Sequence, residues 1–194
     1  MKKSMLLTLL AAFGITLMSF VQDDSSEYKV RTDKSELQWI GRKMGGEHTG
    51  LVGLKSGSFT VKDSVITAGT FVIDMTSISV TDSESKKLLN HVKGVDFFNV
   101  DQFKESKLVI TGSTKDGKDM LKVSGNLTIV GKTNPITFSA HRIGQTEHYL
   151  LYSAVIKIDR TKWGIEYRSS AVGDAFIDDV FDIKVKLTSE KVES

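Results

Sequence analysis

The chain has 194 residues, 40% of them hydrophobic, and no cysteine. One sizeable core is affordable at this length, while disulfides, thiolate metal sites, cysteine nucleophiles and lipoprotein attachment are excluded. Without residues 1–22, which carry Lys2, Lys3 and no acid, 24 basic groups balance 24 acidic ones and no block of like charge remains, so the sequence pI near 8.6 does not indicate a nucleic-acid partner.

Residues 1–22 have the layout of a secretory signal peptide: two lysines, a charge-free run from Met5 to Val21, then a polar stretch that begins at Asp23 and Asp24. The run is shorter than the ~20 apolar residues of a membrane span. The sequence therefore predicts a leader cleaved near residue 22, with retention as a membrane tether as the alternative, a periplasmic or secreted location, and one domain over residues 23–194.

From Tyr28 onward, β-branched and aromatic residues recur in short stretches between glycines and polar clusters, which predicts strands almost throughout. "LQWIG" (37–41) and "TFVIDM" (70–75) are strands with weak alternation. Gly45, Gly46, Gly50, Gly53 and Gly57, between them, lack the order of a phosphate-binding loop and read as bends and bulges. "DSESKKLLNHVKG" (82–94) breaks the pattern: Ser83 or Ser85 can cap a turn that puts Leu88, Leu89 and Val92 on one side, a short helix near residues 83–93.

"KDGK" (115–118) carries the Asp-Gly pair of a type I′ hairpin turn, and "GKTNP" (131–135) ends a strand at the chain's one proline. "LKVSGNLTI" (121–129) places Leu121, Val123, Gly125, Leu127 and Ile129 on one face and polar residues on the other. "ITFSA" (136–140) turns Ile136, Phe138 and Ala140 inward, and "FDIKVKLTS" (181–189) repeats the alternation with Phe181, Ile183, Val185 and Leu187. These stretches amount to about seven to nine antiparallel strands.

An all-β chain of this size packs two sheets or closes one into a barrel. Its inward rings, Trp39, Phe59, Phe71, Phe138, Trp163 and Phe181, come from separate segments. An eight-stranded barrel is wide enough to be filled by side chains or to hold one small ligand, and apolar lining alone leaves both open.

Motifs for chemistry are sparse. His91 and Asp96 lack a serine in an exposed-nucleophile context, and His48, His91, His141 and His148 lack metal-ligand spacing. No catalytic residue and no metal is assigned. His91 and Asp96 are expected to hold the short helix through hydrogen bonds to backbone. The adjacent Phe97 and Phe98 cannot both point inward on a regular strand, so one of them belongs to a turn or an entrance.

"HVKGVDFFNV" (91–100) resembles the His-Leu-x-Ser-x-Asp-Phe-Phe-Asp-Val segment of the YceI-like family, secreted polyisoprenoid-binding β-barrels. "GTFVIDMTSISVTD" (69–82), "VSGNLTIVGKTNPITF" (123–138) and "IDRTKWGIEY" (158–167) are similar to three further family segments, in order, so that the likeness covers about residues 28–188. The chain departs from the pattern at Val92, at Gly94 and at Gln102-Phe103, and it has Lys87-Leu88-Leu89-Asn90 where many relatives carry an Arg-Asp pair.

The resemblance implies an all-β, elongated antiparallel β-barrel, lipocalin-like, whose apolar tunnel holds an isoprenoid or quinone tail, with the His-to-Phe-Phe segment near its mouth. The ligand-binding candidates are Trp39, Phe71, Ile73, Leu88, Leu89, His91, Phe97, Phe98, Phe103, Ile129, Phe138 and Trp163. No cofactor is required. The implied partner is an apolar lipid, with transient membrane contact, and the implied role is an envelope lipid carrier or sequestering protein. The alternatives are a solid-cored structural or stress-associated envelope protein and an enzyme acting on the bound lipid.

Overall fold

The computed structural model describes residues 24–169 and 177–193, so the expected leader lies outside the described residues. In chain order these form β1 (Ser26–Val30), β2 (Glu36–Lys43), β3 (Gly46–Lys62), β4 (Val65–Asp74), α1 (Lys86–Lys93), β5 (Glu105–Lys115), β6 (Met120–Ile129), β7 (Lys132–Gln145), β8 (Tyr149–Asp159) and β9 (Val180–Lys191). Short 3-10 turns cover Thr32–Lys34, Met75–Ser77 and Arg160–Trp163.

The sheet runs β1-β3-β2-β9-β8-β7-β6-β5-β4 and closes through β3–β4 and β1–β9. Neighbours in sequence pair antiparallel from β2 through β9, as hairpins except where long connections join β4 to β5, carrying α1, and β8 to β9, carrying the Arg160–Trp163 turn. β1 and β2 act as one interrupted strand, because each lies between β3 and β9: Tyr28 faces Phe59 and Lys191, and Trp39 faces Gly50 and Ile183. The nine segments therefore make a closed eight-stranded barrel. Ser35 bridges the interruption, its hydroxyl donating to Arg31 O (2.8 Å) and accepting from Thr188 N (3.0 Å).

Alternation decides which face goes inside. Leu121, Val123, Leu127 and Ile129 of β6 are buried while Lys122, Ser124 and Asn126 are exposed, as strand periodicity requires. One end of the barrel carries the short turns after β3, β5 and β7 together with the starts of β1 and β8. The other end carries α1, the Arg160–Trp163 turn and the β6–β7 hairpin, and it is the end at which the resemblance puts the mouth.

Two local expectations need correction. Asp116 and Gly117 do sit in the β5–β6 hairpin, but its loop spans residues 116–119 with positive φ at Gly117 and Asp119, so it is longer than a two-residue type I′ turn. The tight turn is Val130-Gly131, with φ of 43° and 74°, the left-handed pair that a type I′ hairpin needs. Pro135 does not end a strand: it lies inside β7 opposite Asn126, on the stretch before Ala140 where β7 has no ladder partner in β8, so its missing N–H interrupts no pairing on that side.

Candidate ligand-binding lumen

The packing inside the barrel is uneven. Toward the end away from α1, Phe59 (2% exposed) stacks on Tyr28 at 5.5 Å and on Phe71 at 6.2 Å, and meets Tyr152 edge-on at 6.0 Å. Leu121, Val123 and Leu150 fill the space around these rings. Above this floor the inward side chains of Leu108, Ile136, Phe138, Ala154, Phe181, Ile183 and Val185 are only half-buried, although they face the interior of a closed barrel. Half-burial of inward side chains means that they border empty space.

That space is a lumen in which the centre of a water-sized sphere can move through about 160 Å³. Strands β2 to β9 all contribute to its wall, with Met75, Ile78 and Phe98 from the long connection. Apolar cavities of ~150 Å³ stay dry and take up benzene-sized molecules. The described lining includes no carboxylate, imidazole, amine or guanidinium, and its hydroxyls are those of Ser106, Tyr152 and Ser153. Burial raises the Tyr152 pKa above its ordinary 10, with nearby Arg142 opposing, so its phenol stays protonated at neutral pH.

Trp39, Phe71, Ile73, Phe98, Ile129 and Phe138 line the lumen. The Trp39 indole is fixed by Nε1 donating to Ser79 O at 3.0 Å. A Cβ on Gly50, across the pair from Trp39, would fall 1.8 Å from Ser79 O and 2.4 Å from Trp39 Nε1, so Gly50 serves this close approach and not a bend.

Leu88, Leu89, His91, Phe97, Phe103 and Trp163 do not stand in the lumen wall. Ser85 Oγ caps α1 by accepting from Leu88 N (3.2 Å), and Leu88 and Leu89 pack with Val92 onto Val52, Met75, Ile78 and Val100. The chain turns at residues 95–98, so Phe98 enters the lumen while Phe97 leaves it. Phe97, His91 and Tyr167 form a ring cluster, with His91 at 5.1 Å from Phe97 and 4.7 Å from Tyr167. His91 is thus held by rings, not by the expected backbone hydrogen bonds, and Asp96 is exposed. Phe103 packs against Gly131 of the tight turn. Trp163 is 2% exposed, packs with Leu127, Ile129, Ile156 and Ile158, and donates from Nε1 to Leu127 O at 3.1 Å, which anchors the connection after β8 to β6.

Two sequence motifs prove to be related turn chemistry at the mouth end. Asp74 accepts from Thr76 N and Oγ1, and Asp159 from Thr161 N and Oγ1, so each carboxylate caps a 3-10 turn that follows its strand. The Thr76 hydroxyl, ahead of the backbone amides, holds the Asp74 pKa below its ordinary 3.8. Arg160, 3% exposed, donates to Ile165 O, Ile177 O and Asp178 O and brackets the next connection, its pKa lowered by burial. Its guanidinium lies 5.8 Å from the Phe97 ring centroid.

A strap after Met75–Ser77 continues along β3, with Ser79 N donating to Leu51 O and Thr81 N to Thr49 O at 2.9 Å each. Asp82 closes it by contacts with His48 Nδ1 (3.0 Å) and Thr49 N (3.2 Å). Burial pushes the Asp82 carboxyl upward, but these hydrogen bonds outweigh it and hold the pKa below 3.8. Among the described residues no group of three or more histidines and carboxylates is placed to hold a metal ion.

A closed antiparallel barrel with an all-but-apolar lumen and one short helix at one end defines a lipocalin-like, ligand-binding β-barrel. The YceI-like domain model matches residues 28–189, and the chain belongs to that family. It is 27% identical over 148 residues, 75% of each chain, to a UPF0312 protein of Shewanella putrefaciens. To a UPF0312 protein of Shewanella oneidensis it is 30% identical over 141 residues, covering 71% of this chain and 66% of that one.

Its fold is similar to that of BcnA from Burkholderia cenocepacia, with a TM-score of 0.66, 20% identity, and coverage of 82% of this chain and 98% of that one. A polyisoprenoid binding domain from Saccharophagus degradans, implicated in plant cell wall breakdown, matches with a TM-score of 0.62 at 14% identity, over 84% of this chain and 97% of its own.

Proposed function

We propose that the protein binds the tail of a long isoprenoid-type lipid, a polyprenyl chain or a quinone tail, in the barrel lumen and acts as an envelope lipid carrier or sequestering protein. The observation that carries this reading is the half-burial of inward apolar side chains such as Phe138, Ile183 and Val185 around an uncharged space. The polyisoprenoid binding named for the Saccharophagus degradans domain adds support for the class of ligand. Lys2, Lys3 and the uncharged run after them support export to the envelope.

The physical scale is adequate. The lumen wall on β6 runs from Val123 to Ile129. Six steps of ~3.4 Å, tilted by ~40°, give a height of ~15 Å, or on the order of 12 carbons of extended chain. At ~0.8 kcal/mol per buried methylene that segment supplies roughly 10 kcal/mol gross, and micromolar affinity needs ~8 kcal/mol net. The tail alone thus brings binding into the useful range, ordering costs reduce it, and the head group stays at the mouth.

Native mass spectrometry of the protein purified without detergent, followed by organic extraction, tests the reading. A bound apolar lipid in the isoprenoid mass range is the expected result. An unliganded protein that also takes up no added isoprenoid alcohol overturns it and leaves a surface role as the better reading.

A further inference from the structure

The lumen ends at a partition that is one aromatic layer deep. Tyr152 lines the lumen, and it also lines two solvent-facing clefts at the end of the barrel away from α1, both of which include Arg142. The layer that Tyr152 forms with Phe59, Phe71 and Tyr28, filled in by Leu121 and Leu150, separates the apolar interior from those polar clefts. Immediately above it, toward the mouth, the inward positions of β7 and β8 are small. Ala140 faces Ala154, two residues along from the pair Arg142 and Tyr152, and both alanines line the lumen.

We infer that Tyr152 and the two alanines above it are the ruler of the pocket: they set how many carbons of a tail the barrel accepts, because the leading end of the chain stops on the Tyr152 ring. This rests on the carrier reading and adds a determinant of chain length to it. The geometry explains why the stop is sharp. A chain advancing ~1.3 Å per carbon–carbon bond gains apolar contact with every carbon until it reaches the rings, and the next carbon meets a layer already packed by stacked and edge-on contacts. Passing that layer would bring the chain against Arg142, which Asp119 holds at 2.6 Å, in a polar cleft that offers an alkyl end nothing.

The test uses the mature protein and isoprenoid alcohols of increasing numbers of isoprene units, with binding read from the emission of Trp39, which lines the lumen while Trp163 does not. In the unaltered protein affinity rises with each added unit and then levels. Tyr152→Leu moves the levelling point to longer chains by about one isoprene unit, since the shorter side chain releases room for on the order of four carbons. Ala154→Leu projects into open lumen, keeps the barrel folded, and moves the point to shorter chains by a similar step. Val155→Leu, on the exposed outer face of the same strand, moves nothing.

An unchanged levelling point in Ala154→Leu overturns the ruler whether or not Tyr152→Leu folds. A folded Tyr152→Leu with the unaltered protein's preference does the same. Binding that survives with no length preference defeats the ruler alone, whereas no binding at any length defeats the carrier reading and the ruler with it.

Discussion

The two halves of this barrel use the same strands and the same alternation, yet one is a packed core and the other a container. In the closed half the inward positions carry Tyr28, Phe59, Phe71 and Tyr152, and ring contacts of 5.5 to 6.2 Å leave no gap. In the half nearer α1 the rings Trp39, Phe98, Phe138 and Phe181 are spread among aliphatic residues such as Ile136, Ala154, Ile183 and Val185, and only Phe98 and Phe181 among them are in ring contact in the described residues, at 6.0 Å. The difference teaches that the way inward side chains meet one another, and not strand pattern, decides where a barrel is solid. Stability and binding are thereby assigned to different ends of the same strands.

The sharpest way to break that comparison is truncation of one ring in each half. Phe59→Ala removes the centre of the aromatic stack and is expected to cost about 3–5 kcal/mol in urea unfolding. Phe138→Ala, whose ring already borders empty space, is expected to cost less than about 2 kcal/mol by the same measurement. Equal losses would mean that the lumen is no looser than the floor.

Enlargement gives the second contrast. Phe71→Trp overpacks a ring that is 8% exposed and stacked on Phe59, with an expected loss of about 1–3 kcal/mol. Phe98→Trp at the mouth should shift the melting temperature by less, and should lower uptake of an isoprenoid alcohol in a fluorescence titration.

A smaller effect is expected at the strap. Asp74 and Asp82 have lowered pKa values, so the stability they contribute is fully present above their unfolded values near 3.8 and is lost as pH falls through the still lower folded values. Hydrogen exchange corrected for its intrinsic pH dependence should therefore show the Ser79 and Thr81 amides losing protection a few-fold below about pH 4, while the Phe59 amide keeps its own. Asp82→Asn should bring part of that loss to neutral pH.

The smallest effect compares two hairpins. A short insertion at Gly117, in a four-residue exposed loop, is expected to stay within ~0.5 kcal/mol of the parent. The same insertion at Gly131, where Phe103 packs on the tight turn, is expected to cost more in the same melting assay.

Much of the architecture is legible in the sequence because strand periodicity is local. Residues 121–129 and 181–189 lie in β6 and β9 with the expected faces inward, and Ser85 starts the helix. The lumen residues Trp39, Phe71, Ile73, Ile129 and Phe138 follow from the same period. Tyr152 carries that signal too, in the alternating series Leu150, Tyr152, Ala154, Ile156 and Ile158, but nothing local to β8 shows that the series spans both the floor and the container.

Apolar residues in connections behave differently. Leu88, Leu89, Phe97, Phe103 and Trp163 are all partly or wholly buried, as their type suggests; the helical period puts Leu88 and Leu89 on one side, but no period ties that side, or the turn residues, to a partner, so the sequence could not say what they bury against. The adjacent Phe97 and Phe98 show the limit clearly. That the two rings part company is dictated by the backbone, and which of them enters the lumen is decided by the turn that follows α1. Pro135 misleads for a tertiary reason, since its tolerance depends on where β8 stops pairing.

The closure of the sheet also constrains the order in which the molecule can be made. β9 supplies the ladder for β8 on one side and for β1 and β2 on the other, so the last strand synthesised joins the first and the container has no wall until then. Pairing across so long a separation in sequence must bear its loop-closure entropy before any contact rewards it, which makes ring closure a slow step. Until it occurs, β2 and β8 are unpaired edges flanking an apolar sheet face, a state prone to join other chains, and the nascent protein is at its most vulnerable just before it becomes able to hold a ligand.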